Sequence, residues 1–461
     1  MNRLPPVVLA SCATFVSDSA DPRPIIPLTH VCRYWRESIG YNPENWKSIG
    51  IGWEGLVPLC LERARAVPLV VDIAVPDIKE DQTFLNILLP HVPRIGTLRL
   101  TGCTSAETVA EDLPGFFASP ILNLTSLELQ QTEEPTQLFP SDDSPVPPLF
   151  LDVSKLKSLS LTRTPIYPAL FTIPSLVELK LIGYTTPFDF GTFLGLLDAS
   201  PGLECVVLDI QFLVGSVDKA LTRKIPLPRL QHLSIICSNP ADSKGLLSCI
   251  PLPRGTHVEV VFTKMNQSHL IASFLPSPPT SIQELLTPIT TIKTQMEPRE
   301  LRAFGNGSTF TFRSPQLLRD PSTDLVLFSG AAVREYHVTP SPFRYSHAGL
   351  SKRLGLLPAL EILAFYKNVF TPGLFSVLGN EPVFCPALKT IAFFDCGLDS
   401  DLLKELGEAI AKRRASTAVW LYRVVIVIST GTPPDLTSIQ QLRELVPCVE
   451  VRVDDKLPDL S

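Results

Sequence analysis

The hexapeptide L-x-x-L-x-L, with other apolar residues allowed at the L places, recurs along this chain. It opens at Ile95 (IGTLRL), Leu124 (LTSLEL), Leu156 (LKSLSL), Leu176 (LVELKL), Leu203 (LECVVL) and Leu230 (LQHLSI). It resumes at Leu360 (LEILAF), Leu388 (LKTIAF), Leu421 (LYRVVI) and Val446 (VPCVEV). Consecutive openings lie 29, 32, 20, 27 and 27 residues apart in the first run, and 28, 33 and 25 in the second. One such hexapeptide says nothing in an apolar sequence; ten at near-regular spacing are the mark of a repeat. Alternate residues of x-L-x-L fall on one face of a short strand. Between strands, Phe193-LGLLD followed by Ser-Pro-Gly, and Thr83-FLNILLP, read as a helix and a turn. A strand–turn–helix unit buries its apolar face only against its neighbours, so many units must stack.

The longer form L-x-x-L-x-L-x-x-[NC]-x-L fits from Leu388, with Cys396 and Leu398 in place, and from Leu360, with Asn368 and Phe370. From Ile95 it places Cys103 correctly and ends on Ser105. At that place an Asn or Cys satisfies backbone groups at the turn, so Cys103, Asn368 and Cys396 are read as structural. The pattern resembles leucine-rich repeats of the helix-containing kind. The resemblance implies an α/β solenoid over residues 91–455, with parallel strands on a concave face and helices or irregular segments on the convex one. Target recognition would then fall to residues flanking the inward leucines. These are Thr97, Arg99, Glu128, Ser158, Ser160, Glu178, Lys180, His232 and Ser234, whose mixed charge points to no one ligand class. Between Leu230 and Leu360 the register blurs, and 255–350 reads as degenerate repeat, with Val258-EVVF, Phe310-TFR and Leu325-VLF as candidate strands. Residues 132–148 and 276–288 read as loops.

The first fifty residues follow another rhythm. Pro5 and Pro6 suit the first turn of a helix, and Val8, Leu9, Cys12, Phe15 and Val16 follow at helical spacing. After a Pro-broken link, Leu28, Val31, Cys32, Trp35 and Ile39 lie at i, i+3, i+4, i+7 and i+11, one apolar stripe with Arg33, Arg36 and Glu37 off it. Gly40 and Pro43 stop that helix, and Pro43-ENWKSI starts a third short helical element. A unit this small is marginal alone and gains from packing on the repeats or on a partner.

Leu4-PPVVL, Leu28-THVCRYWRES and Asn42-PENWKSI, in that order, resemble an F-box, with Val7 where the family usually has Glu. The following residues 51–90, including Leu61-ERARAVPLVVDI, resemble the linker helix and first strand of large fungal families of F-box-like proteins. The C-terminal stretch from Cys385 to Ile410 resembles theirs too. The resemblance implies the substrate-recognition subunit of an SCF-type cullin ubiquitin ligase. Residues 1–50 would dock on the Skp-type adaptor through Leu4, Pro5, Leu9, Leu28, Val31, Cys32 and Trp35, with Trp46 in support, and the repeats would hold a target protein. The chemistry would occur elsewhere in the complex, and the chain would act by raising local concentration.

Composition narrows the alternatives. Of 461 residues 45% are apolar and 19% charged, so the chain can bury a large core. A net charge of −6 without basic runs argues against a nucleic-acid partner, and Arg33 and Arg36 read as a solvated helix face. The ten cysteines are scattered, with no C-x-x-C, as expected of small buried residues in a reducing compartment, cytoplasm or nucleus. His30 and Cys32 point different ways on a helix and have no second ligand pair. No nucleotide loop, G-x-S-x-G, H-E-x-x-H or kinase set appears; Gly305-NGS lacks a following Lys and reads as a flexible turn. No catalytic, cofactor or metal residue is therefore assigned, and no enzymatic activity is expected. No apolar run reaches the length of a membrane span. Two alternatives stand beside the ligase reading. One is a leucine-rich-repeat interaction scaffold without it. The other is a lipid-anchored or secreted receptor using Leu9-Ala10-Ser11-Cys12, against which stand the single Arg and two prolines of its leader.

Overall fold

In the computed structural model, each of the ten hexapeptides opens onto a strand. The structure describes residues 4–16, 24–52, 55–75, 82–103, 116, 121–132, 154–164, 173–184, 189–209, 211–212, 223–264, 271–276, 282–296, 299–314, 325–328, 331–338, 347–368, 370–379, 383–416, 420–428 and 435–453. The described chain divides into two units. One comprises Met1–Ala220 with Ile225–Leu230, the other Leu221–Lys224 with Gln231–Ser461.

In the first unit, β1 (Ser48–Gly50), β2 (Leu69–Ala74), β3 (Ile95–Cys103), β4 (Ser126–Gln131), β5 (Ser158–Thr162), β6 (Glu178–Ile182) and β7 (Cys205–Asp209) pair in chain order, all parallel. The register aligns Leu98, Leu127, Leu159, Leu179 and Val206 in one row, and Leu100, Leu129, Leu161, Leu181 and Leu208 in a second. Leu124, Leu156, Leu176 and Leu203, the first leucines of their hexapeptides, are buried as well. Burying each such side chain is worth about 2 kcal/mol, an upper figure because the unfolded chain already hides some of it. The entry to each strand repeats one device: the Thr125 carbonyl accepts the amides of Lys157 and Ser158, Lys157 those of Val177 and Glu178, and Val177 those of Glu204 and Cys205. Helix α5 (Phe190–Asp198), capped by Asp189, buries Phe190, Phe193, Leu194 and Leu197, as the sequence predicts.

In the second unit, β8 (His232–Cys237) pairs with β9 (His257–Phe262), but β9 next meets β12 (Ser308–Arg313) rather than its chain neighbour. From β12 the order runs through antiparallel β11 (Arg299–Gly305) and β10 (Thr291–Met296) to β13 (Glu335–Val338). β14 (Ile362–Tyr366), β15 (Thr390–Phe394), β16 (Arg423–Ile428) and β17 (Cys448–Val453) then complete the parallel array. The blurred stretch thus contains a three-stranded meander laid in reverse order between two ordinary repeat strands. The turn expected at Gly305-NGS joins β11 to β12. Asn306 (φ 47°) and Gly307 (φ 84°) join Gly305 and Ser308 as a two-residue hairpin, the positive-φ pair that the Asn-Gly dipeptide favours. Val258-EVVF and Phe310-TFR lie in strands, whereas Val326–Phe328 of the third candidate is a 3-10 turn.

The N-terminal helices differ from expectation. Helix α1 (Pro6–Val16) carries Pro at its first position; of its described side chains Leu9 and Ala13 are buried, while Val8 and Cys12 are exposed, and the side chains of Phe15 and Val16 lie outside the described residues. The stripe from Leu28 to Ile39 is not one helix. Helix α2 (Ile25–Thr29) ends where Thr29 turns its hydroxyl back onto the Ile26 carbonyl. Cys32 is fully extended (φ −162°, ψ 171°) as the cap of α3 (Arg33–Gly40). Helical spacing on both sides of a break imitates a continuous helix, and only Ile39 of the five stripe residues is buried. Pro43–Trp46 is a single 3-10 turn capped by Asn42, after which the chain enters β1.

Candidate functional site

Two surfaces hold the residues that the sequence singles out. On the N-terminal helices of the first unit, Leu9 and Trp46 belong to the core, and Leu28 and Trp35 are half-buried. Pro5 and Cys32 are exposed. Leu4, Val8 and Val31 show 46%, 41% and 59% of their surface, and Val7, the departure from the F-box pattern, shows 75%. The Tyr34 hydroxyl donates to the Leu4 carbonyl at 2.6 Å, tying the start of the chain to α3. The break at Cys32 explains Val31: a residue outside both helices has no inward face to occupy. Asn45, buried, donates its side-chain amide to the Ile39 carbonyl at 3.0 Å and closes the end of α3. His30 is exposed, and among the described residues no group of three or more His, Cys, Asp or Glu could hold a metal ion.

The second surface is the strand face opposite the leucine rows. In the first unit the register sets Arg99, Glu128, Ser160 and Lys180 in one row, and Thr97, Ser126, Ser158 and Glu178 in the next. Arg99 pairs with Glu128 at 3.2 Å, and Lys180 with Glu178 at 2.7 Å. Ser158 also donates its hydroxyl to Glu178. The Lys180 ammonium, and then the Ser158 hydroxyl, hold the Glu178 carboxyl below its ordinary range. All seven predicted residues here are half-buried. This face satisfies most of its own charge and presents alternating donors and acceptors.

In the second unit His232 and His257 stack, ring centroids 5.0 Å apart. Burial, and then the neighbouring His232, lower the affinity of His257 for a proton. Ser234 is buried and donates to Glu259 at 3.1 Å, so it supports its neighbours instead of standing free. Arg313 joins Glu259 to Glu300, whose Oε1 also accepts from Arg302 at 2.7 Å. Further along, the same face turns apolar. Ala364, Tyr366, Ala392, Val425 and Val427 form a buried cluster with Phe394 packed on it. Tyr366 stacks on Phe394 at 4.4 Å and on His337 at 5.8 Å. Strands β14 to β16 are thus apolar on both faces, as central parallel strands often are, and strict inward–outward alternation could not reveal it.

The Asn/Cys position of the repeat has a wider membership than the sequence motif allows. Asn368 donates to the Val338 carbonyl at 2.9 Å, and the Cys396 thiol to that of Phe365 at 3.4 Å. At the equivalent place Thr132 donates to Cys103, Thr263 to Cys237, and Tyr184, buried, to Thr164 at 2.6 Å. Each reaches a carbonyl of the preceding repeat. The position requires a hydrogen-bond donor, and a search for Asn or Cys alone overlooks Thr and Tyr.

No family model and no curated protein matches this chain. Among solved structures it is similar to an internalin of Listeria monocytogenes, at 13% identity over 83% of this chain and 93% of that one, with a TM-score of 0.31. The repeat fold rests on its own strand register and leucine rows, which make it a leucine-rich-repeat-like parallel array. No helix among the described residues is long and apolar enough to cross a membrane.

Proposed function

We propose that the chain is the substrate-recognition subunit of an SCF-type cullin ubiquitin ligase, acting inside the cell. The N-terminal helices dock on a Skp-type adaptor and the strand face holds a target protein. The observation that carries this reading is the exposure of Leu4, Val7, Val8 and Val31 on and beside N-terminal helices that bury Leu9, Ala13, Ile25 and Ile39. Apolar side chains left in water on a small bundle mark a surface that binds. The chain performs no bond chemistry of its own and works by holding a target near a partner enzyme.

The test is co-purification of the full-length chain with a Skp-type adaptor. Wild type brings the adaptor down, and a variant carrying Val7→Asp, Val8→Asp and Val31→Asp does not, while its thermal unfolding is unchanged because all three are exposed. Equal recovery with both proteins, or none with either, refutes the ligase link and leaves an interaction scaffold. The lipid-anchored alternative is decided by mass spectrometry of the mature N-terminus, where a modified Cys12 would end the intracellular reading.

A further inference from the structure

Helices α3 and α4 (Val57–Ala64) flank an open cleft of about 470 Å³, and four of its eight lining residues are arginine. Arg33 and Arg36 come from α3, Arg63 from α4, and Arg65 from the residue that ends α4. Two carboxylates, Glu37 and Glu62, share the lining, which leaves the cleft at +2 in a chain of net charge −6. Within it, Glu37 is already taken by Arg33 at 2.7 Å. Arg36, Arg63 and Arg65 have no carboxylate partner among the described residues. Like charges held side by side repel, and an acidic chain of this size has carboxylates enough to neutralise them. Convergence without neutralisation is what a site for an anion requires.

Two of the guanidinium groups are held by contacts of their own. Arg63 lies over the ring of Trp46, 4.4 Å from its centroid, and Trp46 is buried in the bundle. The same guanidinium comes so near α3 that a Cβ added to Gly40 would be 3.5 Å from its Nη1. Arg36 donates its Nε to the Thr29 carbonyl at 3.1 Å, leaving its Nη groups for the cleft. Arg65 has φ 49° and ψ −118°, a backbone conformation usually left to glycine. The phenol of Tyr41, largely exposed, adds a donor at the rim. Planar forked donors of this kind match phosphate oxygens two at a time, and the volume lies in the range of small-molecule sites, about 300–1,000 Å³.

We propose that this cleft binds a phosphate-class anion carrying two or more negative charges, as a phosphate ester of small-molecule size or a phosphorylated side chain. The inference does not depend on the adaptor reading, because none of Leu4, Val7, Val8 and Val31 lines the cleft.

Inorganic pyrophosphate, titrated into the full-length protein at fixed ionic strength and followed by calorimetry, is the first probe. It binds wild type, and chloride at matched ionic strength does not compete. The double variant Arg36→Gln/Arg65→Gln loses at least tenfold in affinity, whereas Glu62→Gln, which removes the unpaired carboxylate, gains severalfold. Arg63→Lys keeps the charge and loses the fork and the Trp46 stacking, and it weakens binding too. A phosphoserine peptide binding more tightly than pyrophosphate identifies the ligand as a modified protein; the reverse order identifies a free phosphate ester. The proposal is overturned if pyrophosphate is displaced by chloride at equal ionic strength, or if the double variant binds as wild type does. Should the double variant fail to fold, Glu62→Gln decides alone, and unchanged affinity in that variant overturns the proposal.

Discussion

Asn368 is buried at the end of one repeat and donates its side-chain amide to the Val338 carbonyl of the repeat before it, at 2.9 Å. Cys396 does the same one repeat later with Phe365, and Tyr184 does so in the first unit with Thr164. The repeats are therefore bonded to one another beyond their strands, through one donor per turn.

That arrangement sets the cost of removing a donor. Asn368→Ala leaves the Val338 carbonyl buried and unpaired, and Tyr184→Phe does the same to the Thr164 carbonyl and to the Thr164 amide, which donates to the Tyr184 oxygen at 3.2 Å. Each loss costs about 1–3 kcal/mol. Urea denaturation measures it. Lys157→Ala, an exposed position in the first unit, serves as control, and variants no less stable than that control would contradict the account.

The meander can be probed at Gly305. A Cβ there would lie 2.3 Å from the Pro288 carbonyl oxygen and 2.7 Å from the Thr290 amide, both of them backbone. Gly305→Ala must shift a strand, at a cost of about 1–3 kcal/mol. Gly397→Ala, in open space and without a positive φ, costs little by comparison. Thermal unfolding of the two variants separates them, and equal melting temperatures would show that the meander gives way freely.

Thiol reactivity follows burial. Burial pushes Cys60 up to about 11, and Cys385 and Cys396 to about 12, so none of the three holds appreciable thiolate at neutral pH. Cys12 and Cys32 are exposed. Brief maleimide treatment of native protein labels Cys12 and Cys32 and spares the other three until denaturant is added. Peptide mass spectrometry that finds Cys385 labelled as fast as Cys12 would refute the burial of that strand entry.

The histidine faces impose a pH dependence. Burial lowers the proton affinity of both His257 and His337 below the ordinary value near 6.5. Between their folded values and 6.5 the unfolded chain binds more protons, so stability is full above about pH 7 and falls as pH drops through the folded values. A His257→Asn/His337→Asn variant flattens the stability curve between pH 7 and 5. An unchanged slope in the variant would assign the loss to other groups.

The strands were legible because two leucines per hexapeptide fall in register, Leu98 on Leu127 and Leu100 on Leu129, whatever the flanking residues are. The meander was not, since antiparallel β10 to β12 need only alternation and a turn, and their one strong signal was Asn306-Gly307. The break at Cys32 was hidden because spacing is blind to the dihedral angles between two helices. The arginine cleft was hidden for a different reason: Arg33 and Arg36 look like a wet helix face until folding brings Arg63 and Arg65 against them. The donor role of Tyr184 lay outside the residue types that the motif admits.

The reversed meander has a kinetic consequence. In an array whose units touch only sequential neighbours, order spreads from one repeat to the next along the chain. In the second unit, β9 touches β12, and among the described residues β12 reaches β13 through β11 and β10. Growth that starts at β8 therefore stalls at β9 until residues 291–313 have assembled their own hairpins, and growth that starts at β17 stalls at β13 for the same reason. The meander is a clutch between two folding fronts, and mutations within it are expected to slow the coupling of the two ends more than they disturb either one.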